Sequence, residues 1–372
     1  MLNGLCDLST KILELGFAVR TLQRAISIVD RLILDRIEEW RELACVDSNG
    51  VLCLTLDPFH EMISLTSDTI GMYTFSEPFH GSLAESFDVV LAMLGWKIWQ
   101  DSVFPFWQYL PTPANIRYWR HLHRLKSRIA GLIEQRLRMS PQKREEFEDV
   151  LSLMIEEGVD ESDKPSLKME ALQLRDECVG LVFAGHDTTA STMAWMLYLF
   201  GKHPQIQERV RCELDEVLGG REPTTTSLEK LKYLSAVIKE VLRLYPPASI
   251  GRTSIVPTDI CGTSIPAGSE IFISILALQR NKKAWGDDAE EFRPQRFLVP
   301  LSEEQSLHYL PFGGAPRSCI GMRLALIELK IIVWRMLSSC QITLCANGPV
   351  PVMLPSLTLH PIRMAIQLNF RK

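Results

Sequence analysis

The chain has 372 residues, of which 46% are hydrophobic and 23% charged, which is the balance of an ordinary globular protein. Its formal net charge is -5, with no basic arm or acidic tail, so nucleic acid is not expected as a partner. The nine cysteines are scattered and include no C-x-x-C pair, which argues against a zinc ribbon or a redox pair. We expect these thiols to be reduced.

The first half of the chain has the apolar spacing of helices. The predicted helices are, in chain order, 2–43, 58–73, about 114–139, a short one at 147–157 and a long one at 166–200. The stretch from 178 to 201 is poor in charge, so a membrane span is the alternative interpretation. His186 and Asp187 near its centre make a span costly. We therefore expect a buried helix, and we interpret the N-terminal segment as amphipathic rather than as a signal peptide or anchor.

The second half changes from helices to short strands. Helices are predicted at 204–218, before two glycines, and at 228–245, before two prolines. Residues 249–275 are β-branched and broken by Pro and Gly, which predicts several short strands. A last long helix is expected from Cys319 to about 339, followed by a strand at 366–370. The predicted fold class is mainly α with small β-sheets, in a single domain over residues 1–372.

The segment 311–321, PFGGAPRSCIG, carries the strongest chemical signal. A loop of Gly and Pro places Cys319 just before a long apolar helix. The helix N-terminus and approaching backbone N–H groups both favour a thiolate over a thiol. The alternative is a small buried hydrophobic residue, which a lone Cys at a helix start usually is.

This loop resembles the heme-binding loop of cytochromes P450, F-x-x-G-x-R-x-C-x-G. The resemblance implies heme b as cofactor, Cys319 as the iron ligand and Arg317 as the partner of a heme propionate. The other loop positions carried over are Phe312, Gly313 and Gly321. Ala315 stands where the pattern normally has Gly, so we expect a slightly adjusted or strained loop.

The sequence AGHDTT at 184–189 lies in the apolar part of the long helix. It resembles the oxygen-activation motif of the same family. The resemblance implies that Ala184 and Gly185 leave room for dioxygen beside the heme, that Thr188 hydrogen-bonds the bound oxygen species and that Asp187 delivers protons through water. The alternative is a Thr bonded back to its own helix, with a small residue for close packing.

Glu240 and Arg243 are spaced to lie on one face of a helix, as many solvated pairs are. The stretch KEVLRLYPP nevertheless resembles the E-x-x-R helix of the P450 family. The segment FRPQRF, at 292–297, resembles the one that supplies the third member. The implied structure is a buried network of Glu240, Arg243 and Arg296, with Gln295 replacing a common Glu at an exposed place.

Smaller matches follow the order of the family's motifs. Arg252 resembles the second propionate partner, and Gln279 stands where the family usually has His, which puts one propionate-side hydrogen bond in doubt. Ala325 and Glu328 also match recurring positions. Candidate substrate-pocket positions are Phe183, Ala184 and Thr189, then 248–251 with Ala248, Ser249 and Ile250, and 362–364 with Ile362.

The resemblance implies a monooxygenase that inserts one oxygen atom of O2 into a lipophilic small molecule, such as a secondary metabolite, terpenoid or fatty chain. No G-x-G-x-x-G follows a strand, so electrons are expected from a separate NADPH-dependent cytochrome P450 reductase. We expect a monomer. Complete relatives sit on the cytosolic face of the endoplasmic reticulum, and this chain carries no evident anchor.

Complete relatives carry more sequence before this region: an anchor, the first strands and a propionate-side helix. We therefore expect an N-terminally truncated P450 fold, either a shortened product of a normal enzyme or a chain that lacks one heme wall. An exposed sheet edge and poor solubility are expected. Two other functions stay open, a heme-thiolate isomerase or dehydratase that needs no reductase, and a catalytically silent heme-binding or interaction protein.

Overall fold

The computed structural model describes residues 19–79, 82–104, 106–157, 171–345, 348–355 and 358–371. By its contacts the chain divides into two compact units, each treated by itself below. The larger unit comprises residues 1–231 and 320–372, and the smaller unit comprises residues 232–319. The prediction of a single domain stays a prediction.

Helices dominate the described residues. They are α1 (Val19–Leu43), α2 (Pro58–Phe75), α3 (Ser82–Val103), α4 (Pro113–Leu137), α5 (Pro141–Glu145), α6 (Val150–Glu157), α7 (Ala171–Lys202), α8 (Pro204–Val217), α9 (Thr225–Glu229), α10 (Lys232–Leu244), α11 (Ile275–Leu278), α12 (Lys282–Trp285), α13 (Glu303–Leu307) and α14 (Met322–Ser339). Short 3-10 helices lie at Trp107–Tyr109 and Pro294–Phe297. The predicted fold class, mainly α, is confirmed.

The strands are short. They are β1 (Cys45–Val46), β2 (Leu52–Leu56), β3 (Ile250–Thr253), β4 (Thr258–Ile260), β5 (Thr263–Ile265), β6 (Glu270–Ile273), β7 (Cys340–Leu344), β8 (Val352–Pro355), β9 (Leu359–Ile362) and β10 (Ile366–Phe370). In the larger unit, β1, β2, β10 and β7 form one antiparallel sheet in that order, and β8 pairs with β9. Ile342, Ile366 and Leu368 point from this sheet into the core and are fully buried.

Helix α7 is the longest element, with 32 residues, and lies in the core of the larger unit. It packs closely on α2 because Gly185 has no side chain; a Cβ there would lie 2.9 Å from Ile70 Cδ1. The Thr66 hydroxyl on α2 donates a hydrogen bond to the His186 carbonyl at 2.7 Å. None of the described helices is long and apolar enough to cross a lipid bilayer.

Helix α14 closes the larger unit by returning to α1. Arg335 on α14 makes a bidentate ion pair with Asp30 on α1, with Nε–Oδ1 at 2.5 Å and Nη2–Oδ2 at 2.7 Å. These residues are 305 positions apart in the chain. The paired geometry gives the contact both charge attraction and a fixed orientation.

The smaller unit carries the polar turns and loops. Helix α10 ends before Pro246 and Pro247, as predicted, and the expected short strands form two antiparallel two-stranded sheets, β3 with β6 and β4 with β5. Helices α11, α12 and α13 are four or five residues long. The unit ends with the exposed loop that carries Cys319.

Several helix boundaries differ from prediction, among them the start of α6, which is Val150 rather than residue 147. The helix expected over 228–245 is two helices, because Thr224 and Ser227 form a capping box that defines α9, and α10 starts at Lys232. Helix α7 runs through Gly201, which was expected to end it. A Cβ at Gly201 would meet Leu344 Cδ2 at 2.9 Å, so this glycine admits strand β7 against the helix. Helix α14 starts at Met322, three residues later than predicted.

Helix α3 was not predicted from the sequence. Its residues Ser82 and Glu85 have the spacing of a capping box, which is the signal that could have found it. Positions 1–18 and 166–170 of the predicted helices, together with Cys6, lie outside the described residues. None of the eight described cysteines forms a disulfide with another described cysteine.

Candidate functional site

The Cys319 loop of the smaller unit is exposed throughout its last part, from Gly314 to Cys319. The Cys319 N–H donates to the Phe312 carbonyl at 2.8 Å, which closes the loop. Gly313 makes this closure possible because its φ of 74° is a conformation that costs glycine little. The loop therefore presents Cys319 at the surface of the smaller unit.

Ala315 was expected to strain this loop because it replaces a glycine. The residue with positive φ is Gly313, and neither Gly314 nor Ala315 lies in the left-handed region. The expected strain at Ala315 is therefore wrong: the turn that needs a glycine falls two residues earlier.

Two arginines of the smaller unit are exposed like Cys319. Arg317 lies in the loop itself, and Arg252 lies on strand β3, opposite Ile271 of β6. Arg252 donates a hydrogen bond from Nη1 to the neighbouring Gly251 carbonyl at 2.8 Å. Both guanidinium groups are thus open to a further anionic partner.

Glu240 and Arg243 on α10 form a buried pair. Both side chains are completely buried. Arg243 donates two hydrogen bonds to the Glu240 carboxylate, Nε to Oε2 at 2.7 Å and Nη2 to Oε1 at 2.9 Å. Its remaining donors reach the backbone carbonyls of Gln279, Ala289 and Glu291 at 3.0, 2.7 and 3.1 Å. All five N–H groups of the guanidinium are therefore used, as a buried arginine requires.

Arg296 joins this pair from the 3-10 helix at Pro294–Phe297. Its Nε lies 3.4 Å from Glu240 Oε1. Its Nη2 pairs with Asp288 Oδ2 at 2.8 Å, and the hydrogen bond from this arginine is the main cause that holds the pKa of Asp288 below its usual value. The structure thus brings together the three members of the predicted network, and Gln295 beside them is exposed.

Gln279 connects the network to the Cys319 loop. The side chain is fully buried, and its Nε2 donates to the Leu242 and Arg243 carbonyls at 2.8 and 3.1 Å. Its Oε1 accepts from the Leu310 N–H at 3.0 Å, just before the loop. Gln279 therefore binds backbone groups rather than facing solvent. The doubt about one propionate-side hydrogen bond, raised by Gln in place of His, stays a prediction.

One face of α7 in the larger unit is open to solvent. Gly180 and Ala184 are exposed along it, and Thr188, four residues further, is partly exposed. The Thr188 hydroxyl donates to the Ala184 carbonyl at 2.8 Å, which is the alternative considered for this Thr. Gly185 points elsewhere, because Ile70 occupies the room that its missing side chain leaves.

Asp187 points to another side of α7 and accepts a hydrogen bond from the Thr358 hydroxyl. Asp187 is 5% exposed, and burial raises the pKa of its carboxyl, against the hydrogen bond from Thr358 and the nearby His360. Burial also lowers the pKa of the preceding His186 to about 4, so that ring is neutral at neutral pH. Asp187 is therefore the titratable member of the motif.

Thr189 is 4% exposed and turns towards Glu328 on α14. Burial raises the pKa of Glu328 to about 8, although a hydrogen bond from Thr189 acts in the opposite direction. Phe183 packs edge-on against Phe87 of α3, with ring centroids 5.2 Å apart. The assignment of these two residues to a substrate pocket stays a prediction.

The other candidate pocket positions lie at or near the surface of their own units. Ala248 and Ile250 are partly exposed and Ser249 is exposed in the smaller unit, and Ile362 is partly exposed on β9 of the larger unit. Sequence reasoning missed Thr358, His360 and Asp88, which lie near Asp187. No short-range spacing could have found them, since Thr358 is 171 residues from its partner.

The sequence profile for cytochrome P450 matches residues 12–368. Among curated relatives, Cytochrome P450 716A67 of Medicago truncatula is 32% identical over 81% of this chain and 58% of its own length. Cytochrome P450 72A13 of Arabidopsis thaliana is 28% identical over 94% of this chain and 68% of its own length. Secologanin synthase 1 of Catharanthus roseus is 30% identical over 86% of this chain and 62% of its own length.

The fold is that of a solved relative. Retinoic-acid-bound cyanobacterial CYP120A1 superimposes with a TM-score of 0.81 at 23% identity, covering 98% of this chain and 78% of that one. The chain spans only 58 to 68% of the length of the first relatives named above. The profile covers more than half of the chain, and the fold agrees with it. The chain therefore belongs to the cytochrome P450 family, whose cofactor is heme held by a cysteine thiolate.

Proposed function

We propose that this chain is a heme-thiolate monooxygenase that inserts one oxygen atom of O2 into a lipophilic small molecule. The observation that carries the proposal is the exposed Cys319, presented by a loop that a fully buried ion pair and Gln279 support. A surface cysteine has no structural need of such support. A metal ligand does, because its position decides the coordination geometry.

The side chains of the smaller unit fit heme b. Cys319 would supply the thiolate, and the exposed Arg317 and Arg252 would each pair with a propionate. Bound heme would supply the iron at which dioxygen is reduced and cleaved. The chain's own share is to hold the thiolate, exclude water and deliver protons.

The larger unit would supply the proton chemistry. The Thr188 hydroxyl can exchange its bond to the Ala184 carbonyl for a bond to a ligand on the open face of α7. Asp187, whose pKa is raised by burial, can carry a proton at a pH where an exposed Asp cannot. This acid and hydroxyl support oxygen activation over isomerisation or dehydration, which need neither.

The substrate class follows from the relatives. Two of them are named secologanin synthase and 11-oxo-beta-amyrin 30-oxidase, names that fit secondary metabolism. We therefore infer that the substrate is a lipophilic secondary metabolite. We also propose that a separate NADPH-dependent reductase supplies the electrons, and that the chain works as a monomer on the cytosolic face of the endoplasmic reticulum.

Reconstitution tests the proposal. The chain is loaded with heme, mixed with NADPH-cytochrome P450 reductase, and NADPH oxidation is followed with and without O2. A monooxygenase consumes NADPH only when both O2 and the heme-loaded chain are present, and faster with a lipophilic substrate. A heme-loaded chain that leaves the reductase's NADPH consumption unchanged would point to a silent heme-binding protein.

A further inference from the structure

A cavity of about 320 Å³ lies within the larger unit, on the side of α7 to which Asp187 points. Its volume has room for several water molecules. The titratable residues of its lining are Asp57, His60, Asp88, Asp187 and His360, and the Thr358 hydroxyl is also polar. Such a cavity, partly polar and in reach of a buried carboxyl, can pass protons between solvent and that carboxyl.

Thr358 holds Asp187 at the inner end of the cavity. The hydroxyl donates to Asp187 Oδ2, and both residues are buried, at 8% and 5% exposure. A second bond joins the same two elements one turn further along α7, where the Ser191 hydroxyl donates to the Leu359 carbonyl at 2.8 Å. The orientation of the Asp187 carboxyl therefore depends on Thr358, while the docking of the strand on α7 does not depend on it alone.

His360 lies beside this pair, and its ring stacks on Phe59. Its ring is parallel to that of Phe59, with centroids 5.0 Å apart and an interplanar angle of 4°. Its Nδ1 is buried and has no hydrogen-bond partner among the described residues. An unpaired ring nitrogen at a polar cavity is a place for an ordered water, which would link His360 to the carboxyl.

Asp88 on α3 forms the outer part of the same cavity. Its side chain is 46% exposed, and burial raises its pKa to about 6. His186 Nε2 lies 3.8 Å from Asp88 Oδ1, but that ring stays neutral at neutral pH and so is not a carrier. Asp88 is therefore in contact with both solvent and the cavity, as the exposed Asp57 and His60 also are.

We propose that solvent protons reach Asp187 through this cavity, with Asp88 and His360 as exchanging groups and Thr358 as the positioning residue. The proposal rests on the monooxygenase function and names the proton entry of that same site. Each turnover takes up two electrons and two protons: substrate RH and O2 give ROH and water. Protonated His360 gives its proton through water to the Asp187 carboxylate, becomes neutral imidazole and is protonated again from solvent by way of Asp88.

The charged groups around His360 set the pH at which it works. Burial lowers the pKa of His360 and the Asp187 carboxylate opposes that shift. The titratable groups that face the cavity or act on Asp88 are, element by element, Asp57 and His60 at α2, Glu85 and Asp88 on α3, His186 and Asp187 on α7, and His360 on β9. Removing the Asp187 charge must therefore move the pKa of His360 downward.

The first test needs no enzymatic activity. The pKa of His360 is measured by NMR on the full chain, with labelled histidine, in the wild type and in Asp187→Asn, Thr358→Val and Ser191→Ala. We expect a lower pKa in Asp187→Asn, a changed pKa in Thr358→Val and an unchanged one in Ser191→Ala. Equal His360 pKa values in the wild type and Asp187→Asn would overturn the route, because the two groups would not be coupled.

The second test uses the heme-loaded chain with reductase. Thr358→Val should lower product formed per O2 consumed by about tenfold and increase the solvent isotope effect in D2O, because the carboxyl loses its orientation. Thr358→Ser should restore both, and Ser191→Ala should match the wild type. A Thr358→Val variant with normal coupling and isotope effect contradicts the route alone, whereas a wild-type chain without O2-dependent NADPH oxidation contradicts the monooxygenase function.

Discussion

Thr188 and Thr192 make the same bond to their own helix, one turn apart. Each hydroxyl donates to the carbonyl four residues earlier, at 2.8 and 3.0 Å. Thr188 lies on the open face of α7, while Thr192 is 2% exposed. The two residues therefore separate the effect of losing a helical hydroxyl from the effect of losing a functional one.

We predict that Thr188→Ala uncouples O2 consumption from product formation and releases peroxide, by roughly tenfold relative to the wild type. The reason is that the hydroxyl next to Asp187 is lost while the helix keeps its backbone bonds. Peroxide and product are measured in parallel with the reductase system. Thr192→Ala is the matched control and should stay coupled; equal uncoupling in both variants would remove Thr188 from the mechanism.

Single residues also show where sequence reasoning stops. The roles of Cys319, Glu240 and Arg243 were predicted from the resemblance of their chain neighbours to the P450 loop and helix, since spacing alone left the ordinary alternatives open. The role of Gln279 could not be predicted, because its partners, at positions 242, 243 and 310, are brought to it only by the fold. The same holds for the bond between Asp187 and Thr358.

At the scale of elements, glycines of α7 show which side of the helix is packed. A Cβ at Gly201 would lie 2.9 Å from Leu344 Cδ2 and 3.2 Å from the Leu344 backbone nitrogen, whereas nothing lies within 4 Å of a Cβ at Gly180. Both glycines are in the same helix, so their intrinsic helix propensity is the same. A different effect of alanine on stability at these two positions therefore reports a difference in packing.

We predict opposite signs for two alanine substitutions in α7. Gly180→Ala should raise the free energy of unfolding by about 0.5–1 kcal/mol, because alanine is the better helix former. Gly201→Ala should lower it by about 1–3 kcal/mol, because strand β7 must move away from the helix. Urea denaturation of both variants measures this; a Gly201→Ala variant as stable as Gly180→Ala would contradict the packing of β7 on α7.

Two Glu-x-x-Arg pairs on different helices, Glu240 with Arg243 and Glu208 with Arg211, differ in burial. Glu240 and Arg243 are completely buried in the smaller unit, while Glu208 and Arg211 on α8 are on the surface. Arg211 contacts Asp215 as well, four residues further. The surface pair is therefore a control for the buried one with the same spacing.

We predict that Arg243→Lys lowers the free energy of unfolding by roughly 2–4 kcal/mol, because three ammonium donors cannot satisfy five buried acceptors. Arg211→Lys should change it by less than about 0.5 kcal/mol, because water replaces the lost bonds. The measurement is chemical denaturation of the heme-free chain. Similar decreases in the free energy of unfolding of both variants would contradict a stabilising role for the buried Arg243 contacts.

Element types were more predictable than element boundaries. The apolar spacing of 58–73 and 114–139 predicted α2 and α4 to within two residues, because their N-terminal Pro and capping side chains mark where they begin. Helix α3 was missed, and the helix expected at 228–245 is two helices, because the capping box of Thr224 and Ser227 was not weighed against apolar spacing. The four short strands of 249–275 followed from composition alone.

At the scale of the whole molecule, one buried carboxyl couples stability to pH. Glu328 is 3% exposed between α14 and α7, and burial raises its pKa to about 8. The folded state therefore binds a proton that the unfolded state, with an ordinary Glu pKa, has released. Stability from this group is present at low pH and is lost as the pH rises towards 8.

We predict that the free energy of unfolding falls by about 1–2 kcal/mol between pH 6.5 and 8, and that Glu328→Gln removes this fall. Asp88 and His186, whose folded pKa values are about 6 and about 4, change below this window. Urea denaturation at a series of pH values, for the wild type and the variant, is the measurement. The same slope in both would mean that Glu328 ionises normally.

The central claim is that Cys319 is the thiolate ligand of heme iron, and the ferrous–CO difference spectrum tests it most directly. The wild-type chain and Cys261→Ser, in which another exposed cysteine of the smaller unit is replaced, should show the red-shifted Soret band typical of thiolate-ligated iron. Cys319→Ser should lose that band. A Cys319→Ser variant that keeps the wild-type band, or a heme-loaded wild-type chain that never shows it, would contradict the account.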